Sequence, residues 1–251
     1  MDFSRPVTEA TSLLEINPEI DRSRLAAEFA EHKRVQIRNV LTEDSAHKIT
    51  QLLVKQTPWG LSWRAGDDGP HKLRKEQAAS LPKSDGDHIG HKLTASMGQN
   101  DFAFIYSQYQ MYDAFVQGWS GGSPHDGLFQ DMNSPLFLDL VREVTNLPEI
   151  QWADAQATLY APGQFLSLHQ DVEADQGWLV AYVLNFCTRD WRPDWGGYLN
   201  FYDEDGDIVA GYKPRFNSLN MFLVPQDHNV SYVPQFAPYG RFAITGWFRD
   251  R

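Results

Sequence analysis

Apolar positions recur mostly at helical spacing over the first 150 residues and alternate after residue 151. Leu25, Ala26, Phe29 and Ala30 sit three and four apart, which predicts an amphipathic helix over residues 22–33. Val35, Ile37 and Val40 then alternate with polar neighbours, as a half-buried strand would. Thr42 is placed to cap a helix running to about Lys55, with Glu43 and Asp44 facing the positive end of its dipole. Ser134 followed by Pro135 marks another helix start, and Leu136, Leu138, Leu140 and Val141 carry it to Asn146. Residues 65–100 show neither period. With Lys72, Arg74, Lys75, Lys83 and Lys92 among Gly, Asp and Ser, they are expected to form an irregular loop. Such a loop is either a solvated surface or a flap over a binding site.

From Gln151 onward short apolar segments follow one another at sandwich or barrel spacing: WADAQATLY, FLSLHQ, WLVAYVLNF, GYLNFY, SLNMFLV, VSYVP and RFAITGWF. Ala161-Pro162-Gly163, Gly196-Gly197, the acidic run 203–207 and Pro238-Tyr239-Gly240 separate them as turns. Helices first and antiparallel strands afterwards imply an α+β fold whose main body is a curved sandwich of the jelly-roll kind. No repeat or linker splits the chain. Residues 1–251 are therefore read as one domain, with 1–150 as support and flap and 151–251 as the core.

Composition narrows the function. Asp+Glu number 33 against 22 Lys+Arg, a formal charge of -11 that disfavours a phosphate backbone and tolerates a basic protein partner. Cys187 is the single cysteine, which excludes an internal disulfide framework and a cysteine-rich metal cluster. No apolar run is long enough to span a bilayer, and MDFSRPVTEA does not read as a signal peptide, so a cytoplasmic location is expected.

Three residues offer metal chemistry. His169 and Asp171 are two apart, so on an extended backbone both point to the same side. His228, in the turn-like stretch 225–229, supplies a third ligand of the right type. Two histidines and one carboxylate on one face of an ion leave positions open for substrate and oxygen. Each histidine alone reads more readily as a surface or hydrogen-bonded residue, and only the combination points to a metal. In the last segment Arg241, Ala243, Thr245 and Trp247 share one face, while Phe242, Ile244 and Phe248 share the other and should pack on the N-terminal helices. An arginine inside a sandwich needs an anion, and its fork suits a carboxylate; an internal acid could also satisfy it. Asp87-His88-Ile89-Gly90-His91 and His125-Asp126 are read as solvated loops.

Taken together, Tyr160-Ala-Pro-Gly163, His169-Gln-Asp171, Val183-Leu-Asn185, Gly196-Gly-Tyr-Leu-Asn-Phe-Tyr202, His228-Asn-Val230 and Arg241-Phe-Ala-Ile-Thr-Gly-Trp247 resemble the 2-oxoglutarate- and Fe(II)-dependent oxygenases. The likeness is to the prolyl 4-hydroxylase-like branch, which includes ribosomal-protein prolyl hydroxylases and their bacterial relatives, with an echo of the hypoxia-factor prolyl hydroxylases. It implies a double-stranded β-helix with N-terminal helices packed on one sheet. It also implies that His169, Asp171 and His228 hold Fe(II) and that Arg241 grips the distal carboxylate of 2-oxoglutarate. Tyr160 and Thr245 would add hydrogen bonds to the co-substrate, and Trp247 and Tyr182 would line the substrate pocket, although strand packing accounts for these as well. The family places a tyrosine where Val183 aligns. Here tyrosine comes one position earlier, at Tyr182, so either the strand carries a bulge or that contact is missing. The interval from His228 to Arg241 is also longer than in close relatives.

The activity implied is hydroxylation of a prolyl residue in a protein or peptide, a basic ribosomal protein among the targets. It uses O2 and converts 2-oxoglutarate to succinate and CO2, with ascorbate as reductant. The loop 65–100 and the Gly-rich stretch 120–127 would flank the substrate. The same chemistry on a free amino acid or small metabolite, and a non-catalytic jelly-roll binding module, are the competing readings.

Overall fold

A computed structural model describes residues 12–119, 121–172 and 176–251. The segment MDFSRPVTEA and Ser120 lie outside the described residues. The predicted opening is present: α1 (Arg22–His32), β1 (Arg34–Arg38) and α2 (Glu43–Lys55) follow in order. The Thr42 hydroxyl accepts from the Ser45 N–H at the α2 N-terminus. The predicted helix after Ser134 is α7 (Pro135–Thr145), which Asn146 ends in a left-handed conformation.

Residues 65–100 are not a loop. β2 (Gly60–Ala65) and β3 (Asp68–Leu73) form a hairpin, and α3 (Lys75–Ala79) and α4 (Lys83–Gly98) follow. The pattern was obscured because α4 buries only Ile89, Leu93 and Ser96, a narrow stripe at helical spacing, and carries Gly86, Gly90 and Gly98. His88 and His91 are exposed on this helix. His125 and Asp126, read as solvated, are buried in α6 (Pro124–Met132), where His125 Nε2 meets the Thr57 hydroxyl at 2.9 Å. Leu128, Phe129 and Met132 of α6 enter the main core. The remaining N-terminal elements are β4 (Ala103–Tyr109) and α5 (Met111–Gln117).

The C-terminal strands are β5 (Trp152–Ala153), β6 (Gln156–Tyr160), β7 (Phe165–His169), β8 (Trp178–Phe186), β9 (Leu199–Tyr202), β10 (Ile208–Tyr212), β11 (Phe216–Leu223), β12 (His228–Val230) and β13 (Arg241–Arg249). Two details differ from expectation. β10 follows the acidic turn, and the strand expected over 230–234 is the shorter β12.

The antiparallel sheet runs β1-β11-β8-β13-β6-β4-β7-β12-β9-β10 and curls into a nearly closed barrel. β4 joins its two halves, pairing with β6 through Ser107–Tyr109 and with β7 through Phe104 and Ile105. Alternation along β8 and β13 sorts the side chains by face. Tyr182, Leu184, Ile244 and Phe248 join the core beneath the helices, whereas Ala181, Val183 and Ala243 face the barrel interior with Phe201 and Phe222. This is the double-stranded β-helix, with the helices covering the outer face of one sheet. Gly196 and Gly197, at φ 59° and 67°, make the tight turn into β9; a side chain on Gly196 would collide with the Tyr232 carbonyl. No helix among the described residues is long and apolar enough to cross a membrane.

Candidate metal centre and co-substrate pocket

His169 ends β7 and His228 begins β12, and the two are direct cross-strand partners. Their ring centroids are 4.2 Å apart. Asp171 follows two residues after His169, and its oxygens lie 3.5 Å from His169 Nε2 and 3.7 Å from His228 Nε2. The three ligand atoms fall within 4.8 Å of one another. Adjacent ligands of an octahedral ion with bonds of about 2.1 Å stand roughly 3 Å apart, so a small contraction would close the set on a metal.

Both histidines are oriented in the same way. His169 Nδ1 lies 2.9 Å from the Ser167 carbonyl and His228 Nδ1 lies 2.9 Å from the Gln226 carbonyl, in each case two residues back. A carbonyl only accepts, so both Nδ1 atoms carry the hydrogen, and the Nε2 lone pairs face Asp171. Burial, reinforced by the neighbouring His169, pushes His228 down to about 4, which keeps its ring neutral near pH 7. Burial alone would raise Asp171. The two imidazoles beside it outweigh that and hold the carboxyl below its usual range.

Arg241 is 1 % exposed on the interior face of β13. Its Nε and Nη2 both donate to Asn185 Oδ1 at 3.3 Å, and its guanidinium stands 5.5 Å from the Tyr160 ring on the paired strand. Its Nη1 is buried with no hydrogen-bond partner. No carboxylate among the described residues pairs with it, so the alternative of an internal acid does not hold. A buried cation with a free donor fits an incoming carboxylate.

Arg241, Tyr160, Thr245, His169, Asp171, His228 and Trp247 line one cavity of about 980 Å³. The Trp247 indole stacks on Trp178 with centroids 4.0 Å apart. Tyr182 also lines this cavity, and of the two alternatives for it the strand carries no bulge. The register of β8 with β11 and β13 is unbroken at Tyr182 and Val183, so no bulge rotates the tyrosine inward. Its ring packs on Phe248, and its hydroxyl donates to the Asp154 carbonyl at 2.7 Å. Tyr182 and Val183 both line the cavity, and Val183 faces the barrel interior.

Several site residues were not singled out from the sequence. Asn185 is a fully buried amide ending an apolar strand, a polar interruption that could have drawn notice. Tyr106 stands 5.2 Å from Tyr160, ring to ring, and lines the same cavity. Asp154 accepts from the Trp247 N–H at 2.7 Å and pairs with Arg249; burial pushes its carboxyl up to about 6 against the pull of that guanidinium. Asp154 lay hidden in a segment read only as strand.

The comparisons agree with this geometry. Residues 155–249 match the family model described as the 2OG-Fe(II) oxygenase superfamily. A comparison with curated protein sequences gives no significant match. Among solved structures, a Pseudomonas putida prolyl-4-hydroxylase superposes with a TM-score of 0.57 at 17% identity, over 95% of this chain and 99% of that one. An oxidoreductase of the 2OG-Fe(II) oxygenase family from Burkholderia pseudomallei gives 0.57 at 11% identity, covering 96% and 97%. The non-haem α-ketoglutarate-dependent epimerase SnoN of nogalamycin biosynthesis gives 0.51 at 11%, covering 90% and 80%. These identities speak for the fold, and the match over 155–249 speaks for the family. Residues 155–249 thus match the 2OG-Fe(II) oxygenase superfamily and carry the His169, Asp171 and His228 triad, and the protein is a 2-oxoglutarate-dependent dioxygenase using Fe(II), 2-oxoglutarate and O2.

Proposed function

We propose that this enzyme hydroxylates a prolyl residue in a protein or peptide, and that residues 1–251 act as one oxygenase domain in the cytoplasm. The observation that carries the reading is the size of the cavity. At about 980 Å³ it runs from Arg241 past the triad to Trp152, Trp178 and the β2–β3 hairpin, leaving room beyond a five-carbon diacid for a length of polypeptide. The likeness of the fold to a prolyl-4-hydroxylase over nearly its whole length supports the same substrate class.

In this reading His169, Asp171 and His228 hold Fe(II) through Nε2, carboxylate and Nε2. The bound iron supplies the oxygen activation that couples decarboxylation of 2-oxoglutarate to hydroxylation. Arg241 binds the far carboxylate through its free Nη1 while Asn185 fixes the guanidinium plane. Tyr160 and Thr245 flank that carboxylate, and the Trp178–Trp247 stack walls the substrate side against water. Ascorbate serves as reductant, and a basic ribosomal protein is a target compatible with the acidic chain.

The likeness to an epimerase favours a second reading, the same chemistry on a small metabolite. Turnover of 2-oxoglutarate stimulated by proline-containing peptides, with a gain of one oxygen on proline, is the expected result. Stimulation by free amino acids alone would replace the first reading with the second. Absence of an absorption band on anaerobic addition of Fe(II) and 2-oxoglutarate would leave only a binding module.

A further inference from the structure

A second cleft, of about 570 Å³, opens on the surface where three connections meet: Arg38 and Asn39 before α2, residues 187–191 after β8, and residues 213–216 before β11. Its lining has no residue in common with the catalytic cavity. Arg38, Arg189, Lys213 and Arg215 line it, against the single carboxylate Asp190. Lys213 takes up that carboxylate at 2.7 Å. Glu43, 3.7 Å from His47, is the other acid nearby. Arg215 commits its Nε to Gln36. Arg38 and Arg189 have neither an ion pair nor a hydrogen bond among the described residues, and Arg189 only approaches the Tyr239 ring.

Unpaired guanidiniums repel one another, so a chain with a formal charge of -11 has no structural reason to gather four cations around one concavity. An anion removes that repulsion, and a guanidinium fork suits phosphate oxygens. The cleft is also larger than one phosphate needs and falls within the range of small-molecule sites. His47 and Phe216, with ring centroids 4.9 Å apart, supply an aromatic wall beside the cations. Cys187 at the floor is buried, and burial pushes its thiol up to about 12, so covalent capture there is excluded.

We infer that this cleft binds an organic phosphate of nucleotide size, with Arg38, Arg189 and Arg215 on the phosphate and the His47–Phe216 wall against the ring system. The test is calorimetric titration of ATP into the full-length, Fe(II)-loaded enzyme, held anaerobic and saturated with 2-oxoglutarate so that the catalytic cavity is filled. ATP is expected to bind once per chain, with adenosine unable to compete. The double variant Arg38→Glu/Arg189→Glu should weaken binding by about tenfold or more, whereas Lys83→Glu on α4 should not. If the reversed pair does not fold, Arg38→Ala/Arg189→Ala replaces it. A single-stranded oligoribonucleotide that displaces ATP through the same arginines would identify the phosphate source as RNA; failure to displace it would identify a free nucleotide. Absence of ATP binding, or binding that neither arginine variant weakens, overturns the inference. Prolyl hydroxylation can fail independently, since this readout does not involve turnover.

Discussion

The guanidinium of Arg241 rests on one amide oxygen: Nε and Nη2 both donate to Asn185 Oδ1, and Nη1 is left over, buried and unpartnered. Arg241→Met, which keeps the bulk and removes the charge, should raise the KM for 2-oxoglutarate by roughly a hundredfold, given about 2–3 kcal/mol for a buried charged hydrogen bond. Fe(II) binding should persist. An unchanged KM in a folded variant would disconnect Arg241 from the co-substrate.

Metal should stabilise the fold through the triad. Mn(II), as an inert stand-in, at one hundred times its Kd is expected to add about 2.7 kcal/mol, a Tm rise of several degrees. His228→Ala should remove that rise, and a chelator should abolish activity until Fe(II) is returned. A Tm rise of equal size in His228→Ala would place the metal elsewhere.

Tyr182→Phe separates two roles for this tyrosine. Loss of its hydrogen bond to the Asp154 carbonyl should cost about 1 kcal/mol of stability, while the KM for 2-oxoglutarate stays within about twofold. A large KM increase would mean that the hydroxyl reaches the co-substrate after all.

His125 supplies a pH dependence. Thr57 donates its hydroxyl to the Leu52 carbonyl and so accepts from His125 Nε2–H, and burial favours the neutral ring in the core. Burial lowers this group to about 4 in the folded state, from an ordinary value of 6.5. The unfolded chain therefore binds the proton more readily, so this contribution is complete above pH 6.5 and fades as pH falls toward 4. The loss is on the order of 3 kcal/mol. Denaturant unfolding across that range, compared with His125→Gln, should show a flatter acid limb in the variant.

Two glycines should respond oppositely to alanine. At Gly246 a Cβ would collide with the Asp154 carbonyl, so Gly246→Ala should destabilise by about 1–3 kcal/mol. Gly90, mid-helix in α4 with nothing within 4 Å, should gain about 1 kcal/mol as Gly90→Ala. Chemical denaturation of both variants checks the pair.

How much was readable in the chain depended on how locally each feature is encoded. Caps such as Thr42 and Ser134 and the two-residue period of β8 and β13 are local, and those elements stand where expected. The interior face of β13 followed from alternation alone. α4 was missed because three glycines and a narrow apolar stripe give a weak period, and His125 because its buried environment comes from Thr57 and Tyr109, distant in sequence. Alternation also left open which face Tyr182 takes, since a bulge would reverse it; the unbroken pairing with β11 and β13 decided it. Asn185 and Asp154 carry meaning only once their strands bring Arg241 and Arg249 alongside.

The pairing of His169 with His228 has an effect on assembly as well as on chemistry. Sliding β12 by a single position would swing one imidazole to the far side of the ribbon, leaving two donors where three are needed. Iron would then be captured only by molecules whose strands have met in the correct alignment, so uptake of the ion acts as an inspection of folding. Misthreaded copies would remain unloaded and chemically silent.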